Sequence, residues 1–122
     1  MFRLEELIAK HTKIFDKKVY NIGWHVPETW IPLVDELCTK IQESSDKLGY
    51  QITCVQMKEK FGVLRFYVHQ ATPEIYELIT EYENRSILIC QECGCEDCNI
   101  TPTESGWVYY LCESCKIKLN KQ

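Results

Sequence analysis

The sequence has no apolar run approaching the roughly 20 residues that a membrane-spanning helix needs. Its opening segment, MFRLEELIAKHTK, is charged throughout and lacks the apolar centre of a secretory signal. These absences give the expectation of a cytoplasmic protein with no membrane partner. Histidine is scarce as well: His11, His25 and His69 are the only three, and no Ser–His–Asp or Cys–His order can be assembled from them with any specificity. There is no glycine-rich phosphate loop, no H-E-x-x-H and no H-x-E with a matching P-C-x-x-C. The expectation is a protein that is not an enzyme. Excess positive charge is also missing, because the formal net charge is −4, which argues against broad attraction to nucleic acid or an anionic surface. Lysines do cluster locally at Lys10, Lys13, Lys17 and Lys18, a run that reads first as solvated surface.

What remains is enough for one core with a small appendage: 122 residues, of which 45% are hydrophobic and 11% aromatic. Leu4, Leu7, Ile8, Ile14 and Phe15 recur at helical spacing and predict an amphipathic helix over 2–15. An irregular connection, 19–27, follows; Gly23 permits unusual backbone angles there, and Pro27 disfavours helix at Val26. Trp30, Leu33, Val34, Leu37, Cys38 and Ile41 then form one stripe of a helix reaching Leu48. Pro32 lies in its first turn and Gly49 at its stop. The stretches 51–58 and 63–69 are rich in β-branched and aromatic residues, and the turn EKFG between them predicts an antiparallel hairpin. Alternation puts Leu64, Phe66 and Val68 on one face and Val63, Arg65, Tyr67 and His69 on the other. Thr72 and Pro73 suit the N-cap and first position of a third helix, 73–86, burying Ile75, Leu78, Ile79 and Tyr82.

Beyond residue 86 the composition turns to cysteine. Cys90 and Cys93 make one C-x-x-C pair, Cys112 and Cys115 another, with 18 residues between them. Two thiolates from one tight turn reach a single ion, and a hairpin-length spacer brings a second turn to face the first. These four thiolates predict a structural zinc site in a ribbon-like module, with Gly94 supplying the knuckle turn. Four thiolates close the shell, so the metal is scaffold rather than catalyst, and it supplies folding energy to a tail too short for its own core. Cys95 and Cys98 offer a further pair that replaces Cys90/Cys93 or joins them at a second metal; both options stay open. Cys38 and Cys54 read as buried free thiols. The sequence thus predicts an α+β fold with domains 1–86 and 87–122: a small antiparallel sheet packed by about three helices, then the zinc-ribbon-like module.

Lys58, Lys60, Arg65 and Tyr67 lie on the hairpin, and Trp24 lies on a loop where an aromatic ring can stack on a planar ligand or plug the core. Together the five form a candidate ligand site, with cations pairing to phosphate and rings stacking on a base. Trp30 reads as core, and Trp107 as a residue packing the module onto the main domain.

The pair Gly23–Trp24, the helix WIPLVDELCTKI, the stretch VQMKEKFGVLRFYV and the tail C-x-x-C-G with GWVYYLCESC together resemble a family of small bacteriophage and prophage proteins. The resemblance implies a phage or prophage origin, action in the host cytoplasm and a terminal zinc-binding element, and it implies no reaction. Small phage proteins of this kind act by binding, which by analogy suggests sequestration of a phosphate-bearing nucleotide signal of host defence. The alternatives are a module that binds and inhibits a host defence protein, and a zinc-ribbon protein that binds nucleic acid. The acidic residues Glu92, Glu96, Asp97, Glu104 and Glu113 weigh against the last.

Overall fold

The structure is a computed structural model and describes residues 3–16, 24–96, 98–104 and 106–121. Its centre is the hairpin formed by β1 (Thr53–Lys60) and β2 (Val63–His69). Phe61 and Gly62 both have positive φ, 54° and 81°, the two-residue turn whose twist matches that of antiparallel strands. The turn is therefore shorter than the expected EKFG, and Glu59 and Lys60 continue β1 to pair with Leu64 and Val63.

Strict alternation along β1 would put Cys54 and Met57 on opposite faces, yet both are buried. The register explains this: Cys54 pairs with Val68 and Gln56 with Tyr67, so Val55 is an extra residue in a bulge. Downstream of it, Met57 joins the core face with Leu64 and Phe66 as expected, while Gln56, Lys58 and Lys60 share the outer face with Tyr67, Arg65 and Val63.

Two helices cover the core face. A short 3-10 turn, Glu28–Trp30, leads into α2 (Ile31–Leu48), which Gly49 ends at φ 81° with its N–H on Ser45 O. Thr72 accepts from the Ile75 N–H through its hydroxyl and starts α3 (Pro73–Ser86). Ile75, Ile79 and Tyr82 of α3 meet Trp30, Val34, Leu37 and Ile41 in one apolar core. Tyr82 clamps the helices, donating to Glu36 Oε2 at 2.6 Å, where Arg85 also pairs at 2.8 Å. Those two bonds, the tyrosine's first, hold the Glu36 carboxyl below its ordinary range.

The N-terminal helix is shorter than its apolar pattern: α1 covers Leu4–Lys10, and residues 11–15 turn back so that Ile14 and Phe15 both enter the core. His11 fixes that turn, its Nε2 lying 2.7 Å from Asp35 Oδ1 on α2, while Lys10 reaches the same carboxylate. Phe2, Lys17, Lys18 and Gly23 lie outside the described residues, as does part of the 19–27 connection.

The C-terminal module follows α3 directly: β3 (Ile100–Pro102) pairs antiparallel with β4 (Tyr110–Cys112), and α4 (Glu113–Lys118) closes it. It has its own small core of Leu111 and cysteines. The expected boundary at residue 86 coincides with the end of α3, but Ile89 beyond it is buried in the main core and further contacts cross it. Thr29 donates to Gln91 O, Trp107 donates its indole N–H to Glu59 Oε1, and Gly62 lies against Tyr110 so closely that a Cβ there would meet the ring at 2.7 Å. Trp107 thus touches the main domain as expected, although it stays 63% exposed.

Ser86 is fully buried, accepts from the Leu64 N–H and donates to Glu83 O. Ser86→Ala strands a buried strand amide and should lower urea-unfolding stability by about 1–3 kcal/mol. Asp35 gives a pH-dependent test. Burial raises its carboxyl, but hydrogen bonds from His11 and Lys10 outweigh this and hold it below the ordinary 3.8. Its stabilisation is therefore present above that value and lost as pH falls through the folded one. The stability gap between wild type and Asp35→Asn in urea titrations should be full at pH 6 and shrink as the pH falls below 3.8.

Candidate metal centre

Cys90 ends the segment leaving α3, where Gly94 closes the knuckle at φ 81° by donating to Cys90 O. The second pair sits at the β4–α4 junction, with Cys112 ending the strand and Cys115 in the first turns of the helix. Pairing of β3 with β4 folds the 18-residue spacer back, so the two turns face each other as the spacing requires. Gln91 ties them together: its N–H donates to Tyr110 O and its side-chain carbonyl accepts from the Tyr110 N–H.

The sulfurs converge accordingly. Sγ atoms of Cys90, Cys93, Cys95 and Cys112 all lie within 4.8 Å of one another, and Cys93 Sγ is 3.9 Å from Cys112 Sγ. A tetrahedral ion with bonds of about 2.3 Å separates its thiolates by roughly 3.8 Å, so the spacing fits such an ion without rebuilding the loops. Cys115 is buried on α4, three residues beyond Cys112, and is not a member of that close cluster. Cys95 carries a disulfide to Cys98, whereas Cys90, Cys93, Cys112 and Cys115 are free thiols. The cluster thus contains three of the four expected ligands, Cys90, Cys93 and Cys112, with Cys95 where Cys115 was expected. Cys95, which the sequence offers together with Cys98 as a further pair, joins the cluster without Cys98, because the run Cys-Gly-Cys returns the chain to the knuckle two residues later.

Cys90 is the thiol whose surroundings favour thiolate. Burial opposes ionisation of Cys90, yet backbone N–H groups of Cys93, Cys112 and Glu92 overcome it and bring the thiol to about 6. Cys115 is pushed the other way, to about 12, by burial and then by its sulfur neighbours. Cys93 is the exposed member of the cluster, bordering a cleft of about 410 Å³ lined by Glu28, Thr29, Pro32, Gln91 and Glu92. Cys38 and Cys54 lie elsewhere, buried as free thiols and raised by desolvation, hence unreactive.

The five residues of the candidate ligand site are not brought together as a set. Lys58 and Arg65 face each other across the strands, Lys60 and Tyr67 lie on the same outer face, and the Lys58 ammonium sits 6.0 Å from the Tyr67 ring centroid. Trp24 is on the other side: it bridges the edge of β1 beside Met57, donates to Cys54 O and packs its ring against Phe15 at 5.2 Å. Of its two possible roles, core packing is the one it takes.

No family model, curated protein or solved structure matches the chain. The site must be read from its own geometry.

That geometry predicts about one equivalent of divalent metal per chain by elemental mass spectrometry. Cys90→Ser and Cys112→Ser, each removing one thiolate from a different arm, should lower retention at least tenfold. Chelation should raise amide exchange across 90–119 while leaving 31–48 and 73–86 protected; equal loss everywhere would show that the metal holds the whole fold.

Proposed function

We propose that this is a non-catalytic binding protein whose hairpin outer face takes a phosphate-bearing ligand, and whose C-terminal module is a zinc-held scaffold. The observation that carries the reading is the charge on that face. Lys58 lies directly opposite Arg65, Lys60 is next along, and no carboxylate among the described residues forms an ion pair with any of the three. Like charges opposed across strands are destabilising, by up to about 1 kcal/mol. A chain with net charge −4 has ample carboxylates to neutralise them, and it uses its ion pairs elsewhere, at Asp35 and Glu36. An unneutralised basic pair with Tyr67 beside it, 42% exposed, suits an anion carrying a ring that can stack.

In the setting implied by the phage resemblance, such a ligand is a nucleotide signal of host defence, sequestered in the host cytoplasm. Zinc is the ion we assign, because a four-thiolate tetrahedral shell suits it and leaves no open position for a water nucleophile. A second reading, binding to a host protein, draws on the acidic module, where Glu92, Glu96, Glu104 and Glu113 are exposed. It does not draw on strand addition, since side chains of α3 occupy amides along the β2 edge and Ile14 O takes the Cys54 N–H on the β1 edge.

Calorimetry against a panel of cyclic, oligo- and ADP-ribose-derived nucleotides tests the proposal. Arg65→Ala should leave circular dichroism unchanged, hold or slightly raise urea stability by relieving the repulsion with Lys58, and weaken binding by about 10–100-fold, the worth of a charge-assisted hydrogen bond. Silence across the panel from folded, metal-loaded protein would sink the nucleotide reading.

A further inference from the structure

The three cations of the hairpin face stand at two separate levels rather than in one cluster. Lys58 and Arg65 occupy opposite positions on the two strands, so both can serve a single anionic group. Lys60 stands two residues nearer the turn, roughly 7 Å along the strand, and its cross-strand partner is Val63, so that level carries one cation beside an apolar side chain. The Lys58 ammonium lies 6.0 Å from the Tyr67 ring centroid, which draws it away from the Lys60 level, and Tyr67 pairs with Gln56 one level further from the turn. Towards the turn the face therefore reads ring, paired cations, single cation. Lys60 and Tyr67 are exposed, Lys58 and Arg65 are half-buried, and no carboxylate among the described residues forms an ion pair with any of the three cations.

A pyrophosphate does not use this layout. Its two phosphoryl groups share one bridging oxygen, so both fit over the Lys58–Arg65 pair and Lys60 is left without an anion. Phosphates joined through a nucleoside stand further apart and place one group at each level. We infer that the hairpin face binds a short open-chain oligonucleotide, with one phosphate on Lys58 and Arg65, the next on Lys60, and a base stacked on Tyr67. This assignment rests on the phosphate-binding reading of the face and adds what the phosphates are attached to.

Each position suits its part. Arg65 offers a planar fork to two oxygens of the first phosphate, and Lys60 offers a point charge to the second. Tyr67 takes any base, because every base has a flat face that stacks on an aromatic ring. The amide of Gln56 beside it both donates and accepts, which fits the edge of the stacked base. The levels follow one strand direction, so the ligand runs along the ribbon and its chain stays open. Two cationic levels on a protein of net charge −4 neutralise two phosphates and no more, which suits a short chain rather than a long polymer.

The test is calorimetry on full-length, Zn²⁺-loaded protein with four adenine probes. ADP and the dinucleotide pApA each carry two phosphates, at short and long spacing; ApA keeps both bases and one phosphodiester, and cyclic diadenylate closes the chain into a ring. The affinity of pApA should exceed that of each of the other three by at least about tenfold, the worth of one charge-assisted contact. Its log affinity should fall against log salt with a slope of about −1.4, from two phosphates at about −0.7 each on a single strand. Lys60→Ala should halve that slope and bring pApA and ADP to within about twofold of each other, with circular dichroism unchanged. Equal binding of pApA and any one of the other probes overturns the inference and leaves the phosphate reading of the face standing. Absence of binding by all four overturns both.

Discussion

A two-stranded ribbon has two open edges and one face to bury, and the rest of the main domain is arranged around that constraint. Helix α3 answers it twice, packing Ile79 and Tyr82 onto the buried face and lending Ser86 Oγ and Glu83 Oε2 to the Leu64 and Phe66 amides along β2. The other edge is met by Ile14 O and by the backbone around Trp24 and His25, whose amide donates to Met57 O. These are single bonds from irregular segments rather than a third strand. The sheet stays narrow and its second face stays open to solvent, which is why a basic, unneutralised surface can exist on a protein that is acidic overall.

The bulge at Val55 determines what that open face carries. Without it, alternation from Cys54 would turn Met57 outward and bring Lys58 and Lys60 toward the core. With it, the two lysines lie across from Arg65 and Val63. The same local irregularity that lets Cys54 and Met57 both be buried therefore assembles the cationic face. Its repulsion is small compared with the burial of Met57, Leu64 and Phe66, each worth on the order of 2 kcal/mol, so the fold tolerates the charge.

Much of this is legible in the chain, and the unreadable parts share a cause. Helices α2 and α3 announce themselves because stripe, cap and stop agree: Pro32 with Gly49 in one, Thr72 with Pro73 in the other. The paired cysteines are legible because metal-ligand spacing is a short-range constraint. What escapes is set by tertiary partners. Ile14 and Phe15 continue a helical pattern, yet His11 bonds to Asp35 on another element and turns them inward. Phe61 is a bulky residue at φ 54°, a conformation its side chain does not favour and only the hairpin register demands. Trp24 could stack on a ligand or fill the core until Phe15 and the β1 edge are placed beside it. Cys95 looks like half of a separate pair until the knuckle turns it back toward Cys90.

The two ends of the molecule are not independent. Gln91 lies inside the first metal knuckle and holds both backbone groups of Tyr110, and the Tyr110 ring packs over Gly62 in the hairpin turn. Trp107 adds a second tie, sharing the Glu59 carboxylate with the Gly62 amide. Under the proposed function, an ion in the knuckle would fix β4, which buttresses the turn that sets the pairing of Lys60 with Val63. A ligand on the hairpin face would then meet strands already held at their tip. Ordering that otherwise opposes binding would be supplied in advance, which would give the C-terminal module a role in recognition without any contact to what is recognised.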